Sequence, residues 1–177
     1  MPGPLSFDPI AEARRQWDEH WGSEATASMA AVTSIMRAEQ IIMARLNQLL
    51  DPLDLTFPRY EALMLLFYSR KGELPLGKIS DRLQVHRASV TNVVDKLVEA
   101  GYVDRIQHGQ DRRAILARIT KEGKQVARQA TKRLNAAGFG MQPLDDGRCE
   151  AIYEVLRALR AGAGDYESPA ETDRASG

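Results

Sequence analysis

The chain has 177 residues, 44% of them hydrophobic, and its 24 lysines and arginines balance 24 aspartates and glutamates. That is apolar residue enough for one domain or one and a half with a real core. A single cysteine, Cys149, excludes an intrachain disulfide or a cysteine zinc cluster, and no run nears the roughly 18 apolar residues of a membrane span or forms a signal peptide, so a soluble, cytoplasmic protein is expected.

Residues 1–7 hold two prolines and a glycine and should be loose. From Asp8 a short helix is predicted: Asp8 caps it, Pro9 takes the first helical position, and Ile10, Ala13 and Trp17 share a face until Gly22 ends it. Trp17 and Trp21 lie on that side, and so short a helix needs another surface to rest on. Ser23 or Thr26 opens the longest helix, which runs to about Leu50 with the stripe Val32, Ile35/Met36, Ile42/Met43, Leu46 and Leu49/Leu50. Such a stripe exceeds what one small core needs and implies a partner surface. A break at Asp51-Pro52-Leu53-Asp54 leads into LTFPRYEALMLLFYS, with Thr56 as cap, Pro58 in the first turn, and Leu63, Leu66 and Phe67 facing inward. Lys71-Gly72-Glu73 then turns the chain.

Next, LGKISDRL and RASVTNVVDKLVEA read as two helices meeting across Gln84-Val85-His86. In the second, Val90, Val94, Leu97 and Val98 recur at helical spacing, while Ala88, Thr91, Asn92, Asp95 and Glu99 fall on the opposite side. About 14 residues at roughly 1.5 Å each span about 20 Å, enough to lay the first turns in a DNA major groove. Any amphipathic helix would show the same face. After Gly101, YVDRIQ and AILARIT read as strands around the polar turn HGQDRR. A hairpin directly after a helix-turn-helix is a wing. Its Asp111, Arg112 and Arg113 would put guanidinium groups on a thin projection suited to a minor groove, with Asp111 orienting Arg113; an ordinary solvated turn is the alternative.

Thr120 caps a helix through about Ala137 that carries Lys121, Lys124, Arg128, Lys132 and Arg133. Gly138, Gly140 and Pro143 interrupt, and Asp145 or Asp146 starts a last helix striped with Ile152, Val155, Leu156 and Leu159 to about Arg160. The tail from Gly162 is small, polar and aperiodic, and disorder is expected. Residues 74–133 hold 13 basic against 6 acidic residues, so the neutral total conceals a basic segment between acidic ones. Coinciding with the helix-turn-helix, that segment suits a polyanion. The expected class is mainly α with a small β-hairpin wing. A winged helix-turn-helix over 51–121 lies between helical dimerisation regions at 8–50 and 122–161, with a flexible start at 1–7 and a disordered tail at 162–177.

At RASVTNVVDKLVEAGYVDRI and DRRAILARITKEG the chain resembles the MarR family of transcriptional regulators, most specifically in the order VTxxVDxLxxxGYV, DxR and ITxEG, with similarity over roughly residues 25–160. The resemblance implies a homodimer whose first long helix and last helix pair across a two-fold axis, and which often releases DNA on binding a small ligand. It implies that Arg113 reaches the minor groove and that the helix carrying Ser89, Thr91 and Asn92 occupies the major groove. A two-fold dimer sets its reading helices about one DNA turn apart, roughly 34 Å, and reads an inverted repeat. One position departs: the family commonly has Ser where this chain has His86, a poor cap, so either the cap comes from elsewhere or the helix begins a residue away, and His86 contacts phosphate instead.

Candidate DNA contacts are therefore Lys78, Arg82, His86, Arg87, Ala88, Ser89, Thr91, Asn92 and Lys96, with Asp111, Arg112 and Arg113 on the wing; Asn92 suits adenine and Arg87 guanine. The resemblance also implies a small anionic or aromatic effector between the dimer helices and the DNA-binding domain, where Trp17, Trp21, Arg37, Met43, Tyr60, Met64 and Phe67 would converge. Plain core packing is the alternative for these side chains. The Trp-bearing first helix is similar to that of the subgroup responding to urate, whose acidic residue is matched only by Glu61 and whose arginine has no clear match. Cys149 reads as a small packed residue, since the peroxide-sensing cysteine of some relatives has no counterpart near the first long helix.

No GxGxxG, Walker loop, HExxH or GxSxG occurs, and His20, His86 and His108 are widely separated, so no enzyme, cofactor or metal is expected. Expected partners are double-stranded DNA, a second copy and a small effector, with no membrane. The reading is a homodimeric, sequence-specific repressor. A constitutive or architectural binder without effector, and a winged helix that binds only protein, remain open.

Overall fold

The computed structural model describes residues 3, 5–107 and 115–166. Among them are seven α-helices and three strands: α1 Pro9–Trp21, α2 Thr26–Leu50, α3 Phe57–Tyr68, β1 Glu73–Pro75, α4 Leu76–Leu83, α5 Arg87–Glu99, β2 Val103–Gln107, β3 Ile115–Ile119, α6 Lys121–Ala136 and α7 Asp146–Gly162. None of these helices is long and apolar enough to cross a membrane. The chain divides into two compact units, residues 1–140 and 141–177.

In the first unit, local chemistry sets the helix ends. Asp8 Oδ1 accepts the Ile10 N–H at 2.9 Å, Pro9 opens α1, and Gly22 ends it at φ +81°. On the outer side of α1, Arg15 bridges Glu12 and Glu19; its hydrogen bond, with that of Gln16, lowers the Glu12 carboxyl to about 2. α2 departs from expectation, because Ala25 holds its N-cap position and no side chain caps it. The Thr26 hydroxyl instead lies 3.2 Å from the Gly22 carbonyl and 3.3 Å from Asp18 Oδ1, which ties α2 to the end of α1. Thr56 holds the cap position of α3, but the Phe57 N–H donates to Asn47 Oδ1 at 2.9 Å.

The core joins Leu46 and Leu50 of α2, Leu63 and Leu66 of α3, Ile79 of α4, Val90, Val94 and Leu97 of α5, and Ala127, Ala130 and Leu134 of α6. The sheet order is β1-β3-β2, antiparallel throughout, with Leu74 opposite Ala117 and Arg105 opposite Ala117 on the other side. β1 lies where the sequence reads only as a turn. Three residues ending in proline leave no alternation to recognise, and an edge strand tolerates the missing donor. Its pairing is fixed from outside, the Ile119 N–H donating to the Gly72 carbonyl at 2.8 Å.

α5 ends in a two-bond cap around Gly101 at φ +75°, the Gly101 N–H donating to Val98 and the Tyr102 N–H to Leu97, both at 2.9 Å. Thr120 then starts α6. Its Oγ1 accepts the Gly123 N–H at 2.9 Å and donates to the Gly101 carbonyl at 2.9 Å, while its N–H donates to the Tyr102 carbonyl at 3.0 Å.

The second unit is built on α7, capped by Asp145, whose Oδ1 accepts the Arg148 N–H at 2.9 Å. Residues 163–166, placed in the expected loose tail, have ordered contacts with α7. Tyr166 donates to the Arg157 carbonyl at 3.2 Å and lies under the Arg160 guanidinium at 5.7 Å, so residues 163–166 return along the helix. The remainder of the predicted tail lies outside the described residues. Cys149 is a half-buried free thiol.

Candidate nucleic-acid interface

The turn between α4 and α5 is held internally. Gln84 takes the left-handed region at φ +52°, and the Val85 N–H donates back to the Ser80 carbonyl at 3.3 Å. Buried Ser80 donates its Oγ to the Val85 carbonyl at 2.7 Å. That hydroxyl fixes the angle at which α5 leaves the turn, a role not evident from a serine at a polar position.

α5 then begins with an unexpected cap. His86 holds the N-cap position, and its Nδ1 accepts the Ala88 N–H at 3.2 Å. The imidazole that the sequence reads as a poor cap therefore caps the helix itself, through Nδ1, and leaves Nε2 on the outer side of the ring free of that bond. Replacing His86 with alanine should cost about 1 kcal/mol of stability in thermal or denaturant unfolding, while serine, which can cap, should restore most of it. An unchanged melting temperature in the alanine variant would show that the ring contributes nothing.

Val90, Val94 and Leu97 anchor α5, leaving His86, Arg87, Ala88, Ser89, Thr91 and Asn92 together on its outer face. Thr91 Oγ1 donates to the Arg87 carbonyl at 3.1 Å, so its hydroxyl hydrogen is committed within the helix. Lys78 and Arg82 of α4 are exposed as well, and among the described residues no carboxylate pairs with them or with Arg87. The other end of α5 is neutralised: Lys96 pairs with Glu99 at 2.6 Å, and Asp95 with Arg105 of β2 at 2.7 Å. Positive charge is thus concentrated where the helix N-terminus already favours an anion. Arg105 and Asp95 also brace the wing against α5, a contact between distant elements that was not legible in the sequence. The wing residues Asp111, Arg112 and Arg113, with His108, lie outside the described residues.

The predicted effector residues do not gather. A groove of about 360 Å³ lies between α3 and α6, lined by Met64, Phe67, Tyr68, Arg128, Thr131, Lys132 and Asn135. Only Met64 and Phe67 of the seven expected side chains are in its walls. Tyr60 is buried, its hydroxyl 3.0 Å from Thr131 Oγ1. Met43 is half-buried against the core, Trp17, Trp21 and Arg37 are exposed on α1 and α2, and Trp21 is 77% exposed. The physical reason is that α1 lies back along α2, to which Thr26 ties it. The α6 side of the groove was missed, although Lys124, Arg128 and Lys132 recur every four residues. The Arg128 guanidinium stands 5.3 Å over the Phe67 ring. Glu61 of α3 is half-buried without an ion-pair partner among the described residues, and burial pushes its carboxyl above the usual range.

The MarR family model matches residues 55–115 of this chain. A MarR family transcriptional regulator of known structure from Streptomyces coelicolor is 46% identical, the match covering 80% of this chain and 99% of that one with a TM-score of 0.74. The HTH-type transcriptional regulator YhbI of Bacillus subtilis, itself uncharacterized, is 28% identical over 115 residues, 64% of this chain and 73% of its own. A second MarR family regulator from Streptomyces coelicolor, solved in complex with DNA, has the same fold at 20% identity, over 92% of this chain and 91% of its own, with a TM-score of 0.67. With a helix-turn-helix braced by a three-stranded wing sheet, and with a relative this similar along nearly its whole length, the chain belongs to the MarR family of DNA-binding transcriptional regulators.

Proposed function

We propose that this regulator works in the cytoplasm as a homodimeric repressor that reads an inverted repeat with α5 of each copy and is released by a small aromatic or anionic effector. The observation that carries the reading is the outer face of α5, where six exposed side chains from His86 to Asn92, Arg87 among them, stand beside Lys78 and Arg82, and none of these three cations pairs with a carboxylate among the described residues. Asn92 and Arg87 read base edges, Ser89, Thr91 and Ala88 fit against the groove, and His86, Lys78, Arg82 and Lys96 serve the phosphates. Arg112 and Arg113, oriented by Asp111, serve the minor groove. That a protein of the same fold has been solved on DNA supports this use of the elements.

Dimerisation is assigned to residues 8–50 and 122–161, flanking the winged helix-turn-helix at 51–121. In support, Val32, Ile35 and Met36 of α2 are exposed, as are Ile152, Tyr153, Val155 and Leu159 of α7. A lone chain would leave this apolar surface in water. The effector is assigned to the α3–α6 groove, because α6 runs directly into the wing and a ligand against it acts on the reading head.

The test is binding of the purified protein to its own upstream DNA between about 50 and 200 mM salt. Saturable binding at one inverted repeat, falling steeply with salt and far tighter than to random duplex, is the expected result, with a dimer in sedimentation. Equal affinity for random duplex would replace the specific repressor with an architectural binder. No binding would leave a protein-interaction module.

A further inference from the structure

DNA contact through α5 leaves the cations of α6 without a role. Lys121, Lys124, Arg128 and Lys132 fall at i, i+3, i+7 and i+11, on one face and over about 16 Å of helix. Gln125 and Asn135 share that face, so no carboxylate interrupts it. All four cations are exposed, and none pairs with a carboxylate among the described residues. Like charges spaced four apart oppose helix formation, so this row is a standing electrostatic penalty that a bound polyanion would remove.

The row runs off the helix and meets aromatic rings. A Cβ built on Gly72 would meet Lys124 Cε at 3.9 Å and Nζ at 4.0 Å, so the Lys124 ammonium lies against the turn that joins α3 to β1. That turn carries Arg70 and Lys71, both exposed and also without a carboxylate partner among the described residues. Just before it α3 ends on Tyr68, which is 75% exposed although its ring packs edge to face on Phe67, with centroids 5.7 Å apart. Arg128 closes the cluster from α6, its guanidinium 5.3 Å over the Phe67 ring. The fold gains little from a phenol so far in water, and its outer face is open.

An open ring, a guanidinium plane and a line of ammonium groups are together the parts that hold a single polynucleotide strand, whose bases stack on the aromatic faces while its phosphates follow the cations. A duplex keeps its bases stacked inside and would leave Tyr68 idle. The groove beside the ring, at about 360 Å³, is at the small end for ligand pockets and suits one unpaired base. The row is also apart from the reading head. α6 starts on the Gly101–Tyr102 corner, at the opposite end of α5 from His86 and Arg87 and about 20 Å along its axis, and the Lys96–Glu99 and Asp95–Arg105 pairs neutralise that end. We propose that this surface is a second nucleic-acid site, for single-stranded DNA or RNA, with a base on Tyr68 and phosphates along Arg128, Lys124 and Lys71. The groove is the one assigned above to the effector, so a bound effector would displace the base.

Fluorescence anisotropy of the full chain with a labelled oligothymidylate of about 16 nucleotides, the matching oligouridylate and a random duplex tests it. With Arg87→Glu disabling the reading head, a strand should bind roughly tenfold tighter than the duplex, and the tighter of the two strands identifies DNA or RNA as the source. Tyr68→Ala should weaken strand binding roughly tenfold while Tyr68→Phe leaves it intact, since stacking needs the ring and not the hydroxyl. Lys71→Ala with Lys124→Ala should reduce the steepness of log affinity against log salt by about 1.4, two phosphates at about 0.7 each, with operator affinity and melting temperature unchanged. Preference for the duplex, whose charge is denser, or a silent Tyr68→Ala variant would mean an unselective basic surface and overturn the proposal. Strand affinity that Arg87→Glu lowers as far as it lowers operator affinity would place the strand on α5, and no strand binding would leave a merely solvated face; both overturn it too. In each of these cases the effector reading still stands, because release of the operator by a small ligand tests it separately.

Discussion

Operator affinity should fall roughly a hundredfold when Arg87 is replaced by glutamate, with the melting temperature unchanged. Arg87 is the first residue of α5, exposed and unpaired among the described residues, so the substitution breaks no internal contact. An acidic residue in the first turn is favoured by the helix dipole, which protects the fold. In the proposed complex the same change removes a guanidinium contact and sets a carboxylate against phosphate. Fluorescence anisotropy on the operator and on random duplex separates base reading from charge. Arg87→Glu should weaken both, whereas Asn92→Ala should weaken mainly the operator. Unchanged operator affinity in the Arg87 variant would remove α5 as the reading helix.

The second large effect concerns stability. Gly123→Ala should destabilise the protein by about 3 kcal/mol, the upper end for an overpacked site. A Cβ there would lie 2.1 Å from the Tyr102 carbonyl oxygen and 2.9 Å from Ile119 Cγ1. The first of these is backbone, held by the Thr120 N–H, and cannot swing aside. Denaturant unfolding measures the loss; a variant as stable as the parent would show that α6 can shift away from the Gly101–Tyr102 corner.

Much of this architecture was legible in the sequence because the deciding interactions are local. Asp8, Thr120 and Asp145 each cap within three residues of themselves, and Val90, Val94 and Leu97 repeat with the helical period that buries them. What was missed is held by partners far along the chain. Phe57 is capped by Asn47, ten residues away, and β1 exists only because β3 pairs with it. His86 defeats a propensity argument, since an imidazole nitrogen placed at the right distance accepts a hydrogen bond as a serine oxygen would.

The candidate site divides the same way. Periodicity placed Ala88, Thr91 and Asn92 on the outer face of α5, where the structure has them, but it also put Asp95 and Glu99 there, which instead pair with Arg105 and Lys96 at the far end of the helix. The lining of the α3–α6 groove could not be named in advance, because it depends on which helices are neighbours. Phe67 and Met64 lie in the groove because α6 packs beside α3, and the same packing brings Arg128 over Phe67. The tryptophans of α1 are positioned by the contact of α1 with α2, which no spacing in either helix encodes.

Gly101, Tyr102, Thr120 and Gly123 form a joint without play. Two carbonyls of the corner after α5 are bonded by Thr120, and the absent Cβ of Gly123 lets α6 seat directly on that corner. α5, the base of the wing and the first turn of α6 must therefore swing as one body. With 16 residues, α6 is a lever about 24 Å long whose fulcrum sits at the reading head. In the proposed dimer, the span between the two heads is governed from the remote ends of these levers, and leverage on α6 detunes that span while each recognition surface stays intact.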